Sequence, residues 1–354
     1  MAALLNVSGP RFPPLYRALA FDMIFCYENK LYPASRIAMD YEDYKKISNA
    51  PLEHFATLHP TITDVIELFD RLEAFKEAKW AFRGQGTDHV LAASIKGLRL
   101  NRALPRYYVV REFRRRAHQY VTDVPSDDDD LEWLALMQHH GAPTRLLDWT
   151  RSPHVAAFFA AQSSNSVSPF ITTKPDKPVE PFVIWAVDVD SVNAEAISML
   201  GLPKGNSDLS SRENFRKIYW DQPAEDVYLV AAVQPHRMNE RLTIQQGLFL
   251  CANHALFSFR RCLAALLLHA SKAQQPSSQW LHKLTVAPEA RLDVLKALNK
   301  ININSATLFP GLDGFCQSLH VNVQIQEQEG WPRGFPDDRS GTLGERSLGQ
   351  HNVV

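Results

Sequence analysis

Residues 138–162 read QHHGAPTRLLDWTRSPHVAAFFAAQ and crowd histidines, two arginines, an aspartate and a tryptophan around a helix start. Desolvating unpaired charge costs several kcal/mol, so such a corner is either internally paired or open to a ligand. Asp148 supplies a carboxylate that could serve a pocket; it could equally cap the next helix or pair with Arg151. Thr150 offers a hydroxyl to a ribose or phosphate, or to a helix cap. His139 and His140 are adjacent on a helix end, about 100° apart, and so are poorly placed to share one metal ion. An imidazole such as His140 can instead donate to a substrate or cap the helix C-terminus. A metal site from His139, His140, Asp148 and His154 is a further alternative.

Two other stretches carry comparable chemistry. Arg83 lies beside Gly84 and Gly86, where backbone can approach a ligand and a guanidinium can fork onto phosphate; a structural ion pair is its other role. Gln245 and Gln246 precede Gly247; their amides can read a base or a nicotinamide amide, and the glycine permits a bulge. Arg241 could hold a phosphate in the same cleft, and Glu240 is the carboxylate immediately beside this block. Asp313, among Pro310, Gly311 and Gly314, suits a turn or cap. Arg111, Arg114, Arg115 and Arg116 form a basic helix side that the acidic run at 126–130 can balance. No GxSxG elbow occurs, so serine hydrolase chemistry finds no support.

These residues need elements to place them. Val65, Leu68, Phe69, Leu72 and Phe75 predict a helix over 61–78, started near Thr63 and Glu67; 79–86 predicts a strand ended by glycines. A helix is expected at 106–121 and another after the acidic run, stopped by Gly141 and Pro143. Residues 144–150 are strand-like, and Ser152 with Pro153 starts a helix. Strands are expected at 181–190, 226–233, 242–252 and 281–287, with helices at 287–301 and 305–320. Without strict alternation of strand and helix, this is an α+β chain.

Bulk properties set the outer bounds. The formal charge of −1 over 354 residues gives no global footprint for nucleic acid or an anionic membrane, leaving only local patches. Cys26, Cys251, Cys262 and Cys316 have no CxxC or zinc spacing and fit reduced thiols, hence a cytoplasmic location. No signal peptide or membrane span is expected. Residues 1–59 read as an N-terminal extension, and 323–354 as a flexible, polar C-terminal tail.

FRGQ (82–85), QHHGAPTRLLDWTRSPHVAAFFA (138–160), NERLTIQQGLFL (239–250) and LFPGLDGFCQSL (308–319) resemble the signature blocks of the FRG domain, over roughly 60–322. That family implies no activity by itself. The blocks are also similar, more weakly, to ADP-ribosyltransferases of the arginine–serine–glutamate type. This second resemblance implies a split mixed β-sheet flanked by helices, with NAD or another nucleotide bound through Arg83, Gly84, Thr150, Arg241, Gln245 and Gln246 and no metal. It implies catalysis from Glu240, Asp148 and His140, a macromolecular ADP-ribose acceptor, a regulatory protein partner, and a toxin or antiphage defence effector. Asp148-Trp149-Thr150 stands where that group has Ser-Thr-Ser. Its glutamate position falls near Arg241, and a one-residue slip to Glu240 changes strand face. The rivals are a catalytically silent nucleotide-sensing module and a metal-dependent hydrolase or nuclease.

Overall fold

A computed structural model describes residues 41–95, 104–163, 180–203, 207–221, 227–254 and 258–330. The chain divides into two compact units, 1–37 and 38–354, and all described residues fall in the second. Its elements are α1 (Tyr41–Asn49), β1 (Thr57–Leu58), α2 (Val65–Glu73), β2 (Trp80–Gln85), α3 (Leu104–Ala117), α4 (Asp130–His139), β3 (Leu146–Thr150), α5 (Pro153–Ser163), β4 (Phe182–Asp188) and α6 (Val189–Leu200). There follow α7 (Arg212–Arg216), β5 (Val230–Val233), α8 (Glu240–Ile244), β6 (Gly247–Ala252), α9 (Phe259–Lys272), β7 (Leu281–Val286), α10 (Arg291–Lys300), α11 (Ser305–Leu308) and α12 (Leu312–Glu329).

The strands form one mixed sheet in the order β1-β7-β4-β2-β3-β6-β5, antiparallel except for the β1–β7 pair. The α+β expectation therefore stands. β4 is buried along its whole length because helices cover both faces. One face packs on α2, α5 and α10 through Leu68, Phe158, Val294 and their neighbours. The other packs on α3, α4, α6 and α9 through Val110, Leu134, Val192 and Leu266.

The sheet is not evenly laddered. β2 meets β4 through six registered pairs, from Trp80↔Asp188 to Gln85↔Val183, but meets β3 through Phe82↔Thr150 alone. Beyond that pair the two strands part. On the α5 side, Gly84 fixes how close the helix comes: a Cβ there would stand 2.0 Å from the Ala156 carbonyl oxygen and 2.6 Å from the Ala160 nitrogen. Gly84 is thus a packing glycine for an alanine-faced helix.

Several boundaries differ from those expected. α2 starts at an Asp64 cap, whose carboxylate accepts from Ile66 and Glu67 N–H at 2.9 Å. The expected strand at 242–252 divides: Asn239 caps the short helix α8, Gln246 takes a positive φ of 48°, and only then does β6 begin. The expected helix at 305–320 breaks at Gly311 (φ 101°) into α11 and α12, and α12 runs on to Glu329. Residues 41–58, assigned in the sequence to an extension, contribute β1 to the sheet; 1–40 and 331–354 lie outside the described residues. Among the described residues no helix is long and apolar enough to cross a membrane.

The acidic run does more than oppose a helix dipole. Asp129 caps α4 and accepts from Arg212 at 2.9 Å, buried Asp130 pairs with Arg114 at 2.5 Å, and Glu132 takes Arg237 at 2.8 Å. Arginines from three separate segments thus anchor the start of α4.

Two consequences are measurable. Gly84→Ala should cost about 3 kcal/mol or more, because the new methyl meets helix backbone, which cannot rotate away; an unchanged denaturation midpoint would refute this packing. At the β1–β7 edge His59 Nε2 lies 3.0 Å from His282 Nδ1, and His282 Nε2 donates to the Gln279 carbonyl at 3.0 Å. Burial pulls both imidazoles below their ordinary 6.5, His59 further through His282 and Arg71, while the Gln279 bond opposes the fall for His282. A depressed folded value means the unfolded chain takes up protons first. This contribution is therefore complete above about pH 6.5 and lost as pH falls below it toward the folded values. Urea midpoints measured from pH 7.5 to 5 should decline, less steeply in His59→Gln.

Candidate functional site

The parting of β2 and β3 is bridged by a side chain. Arg83 Nη1 donates to the main-chain carbonyl of Asp148 at 2.6 Å. A long donor from one strand thus replaces a ladder hydrogen bond. Arg83 Nε is buried and has no hydrogen-bond partner among the described residues. Burial lowers the Arg83 pKa from its ordinary value, and the nearby Asp148 charge partly restores it.

On β3, Trp149 directly precedes Thr150, the residue that pairs with Phe82. Its indole Nε1 is also buried without a partner among the described residues. The seam therefore presents two orphaned donors from facing strands. A buried donor without an acceptor costs about 1–3 kcal/mol. Trp185, the register partner of Arg83 on β4, is by contrast satisfied: its Nε1 donates to Gln85 Oε1 at 2.8 Å.

Asp148 is exposed, and its Oδ2 accepts from Gln138 Nε2 at 2.9 Å. Gln138 Oε1 in turn accepts the Thr144 hydroxyl, and Thr144 Oγ1 accepts the Leu146 N–H at 3.1 Å. Thr144 N–H donates to Ser94 Oγ at 3.0 Å, so the loop after β2 braces the same relay. Gln138 and Thr144 were not singled out in the sequence. The available signal was a glutamine in the last turn of an otherwise apolar helix.

The next residue, His139, is pulled below its ordinary pKa, first by partial desolvation and then by the positive neighbours His140 and Arg241. The His139 and His140 rings lie edge to face with centroids 4.9 Å apart. Arg241 stacks on the Phe309 ring, 4.6 Å from its centroid. Arg83 thus reaches the Asp148 main chain, the Asp148 carboxylate takes Gln138, and the charge of Arg241 is felt at His139, the residue after Gln138.

Other expected site residues are occupied elsewhere. The Thr150 hydroxyl donates to the Gln245 carbonyl at 2.6 Å and accepts from Ser152 N–H at 3.0 Å, which is the capping alternative. Gln245 Nε2 donates to the Leu308 carbonyl at 2.9 Å. The Gln246 carbonyl accepts from Arg151 N–H at 2.9 Å, while its side chain is exposed. Arg145 turns to the Tyr219 carbonyl at 2.6 Å, away from Asp148. Glu240 is exposed at the first position of α8 and has no hydrogen bond or ion pair among the described residues. His154 packs edge-on against Phe69. The four histidine and aspartate positions named as a metal alternative do not form a ligand group, and no group of three or more His, Cys, Asp or Glu suited to a metal occurs among the described residues.

The sequence model of the FRG domain family matches residues 78–168. The chain carries an FRG domain. No curated protein and no solved structure matches this chain. The FRG segment holds both banks of the seam, with Arg83, Gln138, Thr144 and Asp148, together with α5, which sets their spacing. Glu240, Arg241, Gln245 and Gln246 come from beyond the matched span. The name-giving Phe-Arg-Gly run has a distinct task for each residue: Phe82 makes the last β2–β3 pair, Arg83 bridges the opening, and Gly84 admits the helix.

The relay to Asp148 has a stability signature. Thr144→Val removes a hydroxyl that serves Gln138 and Leu146 together, and should cost about 1–3 kcal/mol, while Thr144→Ser keeps most of the stability. Urea denaturation of both variants measures the difference; equal losses would show that the methyl group, not the hydroxyl, matters.

Proposed function

We propose that the β2–β3 seam binds NAD or a related nucleotide and that the FRG domain acts on it as an ADP-ribosyltransferase-like enzyme. The observation that supports this reading is the pair of orphaned donors, Arg83 Nε and Trp149 Nε1, at the opening of the sheet beside the exposed carboxylate of Asp148. A phosphate oxygen entering the seam would meet a guanidinium already held in place, and charge-assisted bonds to Arg are among the strong ones. The resemblance noted in the sequence adds support, because its first three blocks supply the neighbouring strands β2, β3 and β6.

Asp148 is the carboxylate best placed for chemistry. As nicotinamide leaves with the bonding electron pair, positive charge develops on the ribose, and a fixed carboxylate stabilises it. Water or an acceptor side chain then adds at the anomeric carbon and gives up its proton. Glu240 fits less well, since it opens a surface helix and does not stand on a strand facing Arg83. Arg241, on Phe309, is suited to a second phosphate or to the far end of the ligand.

A silent nucleotide-binding module is the second reading. It is favoured by Thr150 and Gln245, whose polar groups serve the fold, and by the missing carboxylate at the start of β6.

One experiment separates the readings. Full-length protein is incubated with NAD, nicotinamide release is followed by mass spectrometry, and binding is followed by calorimetry. Release should fall about a hundredfold or more in Asp148→Asn with binding kept, and binding should be lost in Arg83→Met. Binding without release supports the silent module. Neither binding nor release overturns both readings, and cleavage of nucleic acid abolished by chelator would favour a metal-dependent hydrolase.

A further inference from the structure

A second feature of the FRG segment is independent of the seam. Between 96 and 116 the sequence carries eight lysines and arginines against a single carboxylate, Glu112, in a chain whose formal net charge is −1. Four of these arginines lie in the described part of α3, and the fold divides them. Arg114 turns inward, pairing with Asp130 and lying over Trp133 at 5.3 Å. Arg111, Arg115 and Arg116 remain outside, with side chains 71%, 62% and 66% exposed. All three reach the same Glu112 carboxylate, at 3.9, 2.9 and 3.1 Å. One negative charge among three guanidinium groups leaves the face with an uncompensated positive balance.

Helical spacing puts a tyrosine on this face. Tyr108, Arg111 and Arg115 follow at steps of three and four, and Tyr108 is 59% exposed. Tyr120, just past the helix end, is 82% exposed. The opposite side of α3 is buried through Val110 and Ala117, so the helix is anchored and its basic face is displayed. An ordinary solvated helix face would alternate charge signs; this one combines cations with open aromatic rings.

We propose that the exposed face of α3 binds single-stranded nucleic acid, its arginines on successive phosphates and its tyrosines stacked on bases. The positive balance suits the phosphate backbone, and flat rings suit bases whose faces a duplex would hide. An anionic membrane fits less well, because among the described side chains of this face no large aliphatic one accompanies the arginines. The site does not rest on the seam's ligand or on any catalytic activity.

The test is fluorescence anisotropy of labelled oligo(dT) and oligo(U) twenty-mers titrated with the full chain between 50 and 200 mM salt. Three phosphates neutralised predict a slope of about −2 in log affinity against log salt. Replacing Arg111, Arg115 and Arg116 together by Gln should weaken binding at least tenfold and flatten that slope. Tyr108→Ala should weaken it about tenfold and leave the slope unchanged. Comparing the two oligonucleotides tells whether DNA or RNA is preferred, and either preference supports the site. Circular dichroism confirms that the variants fold, as these side chains are exposed. The proposal is overturned by no binding at 50 mM salt, by binding that the triple substitution leaves intact, by equal or tighter binding of duplex, or by preferential capture on phosphatidylserine vesicles.

Discussion

The organisation of this fold turns on a hydrogen bond from a side chain of one strand to a neighbouring strand with which it is no longer laddered. β2 and β3 share one registered pair and then separate, which would strand main-chain groups inside the protein. Arg83 answers part of that demand by reaching the Asp148 carbonyl. The opening is therefore held at a set width rather than left to collapse or flare. On the opposite face, α5 seats against Gly84 at a distance no side chain would allow, and its start is tied to β3 through Thr150 and Ser152. Helix and guanidinium fix the same pair of strands from two sides.

A second set of interactions places the polar side of this opening. α4 is pinned at its beginning by Asp129, Asp130 and Glu132, each engaged by an arginine from another part of the chain. A buried carboxylate that lost its partner would be costly, so these pairs fix position even where they add little net stability. The helix so fixed delivers Gln138 and His139 from its last turn toward Asp148 and Arg241. Charges at one end of α4 thereby determine what the other end offers.

Much of this was legible in the sequence, for reasons that can be named. β4 shows as an apolar run because both its faces are covered, and α5 shows through Ser152, Pro153 and its alanines. Arg83 stood out through its neighbouring glycines, yet Gly84 proved to serve the helix on the opposite face. The strand expected at 242–252 failed at Gln246: a non-glycine residue with positive φ leaves no mark in the sequence, and the apolar and β-branched residues before it imitate a strand. The distant partners of the acidic run, Arg212 and Arg216, lie far along the chain, and the Thr144–Gln138–Asp148 relay has no period to detect. Periodicity reports burial, whereas the site is made of long-range polar contacts.

Those contacts also narrow what a ligand at the seam must do. Thr150 and Gln245 commit their polar groups to the backbone, so on the proposed reading recognition would fall to Arg83, Trp149 and Asp148. Arg83 has one nitrogen bonded and another unpartnered, a state in which an acceptor can be gained without first breaking an ion pair. A ligand oxygen that also displaced the Asp148 carbonyl would free that strand from its one side-chain bridge to β2 among the described residues. Binding and the width of the opening are then linked, since the same guanidinium cannot fully serve both. On the proposed reading, the strength of nucleotide binding at this seam would be set by how much of the Arg83–Asp148 bond the ligand must replace.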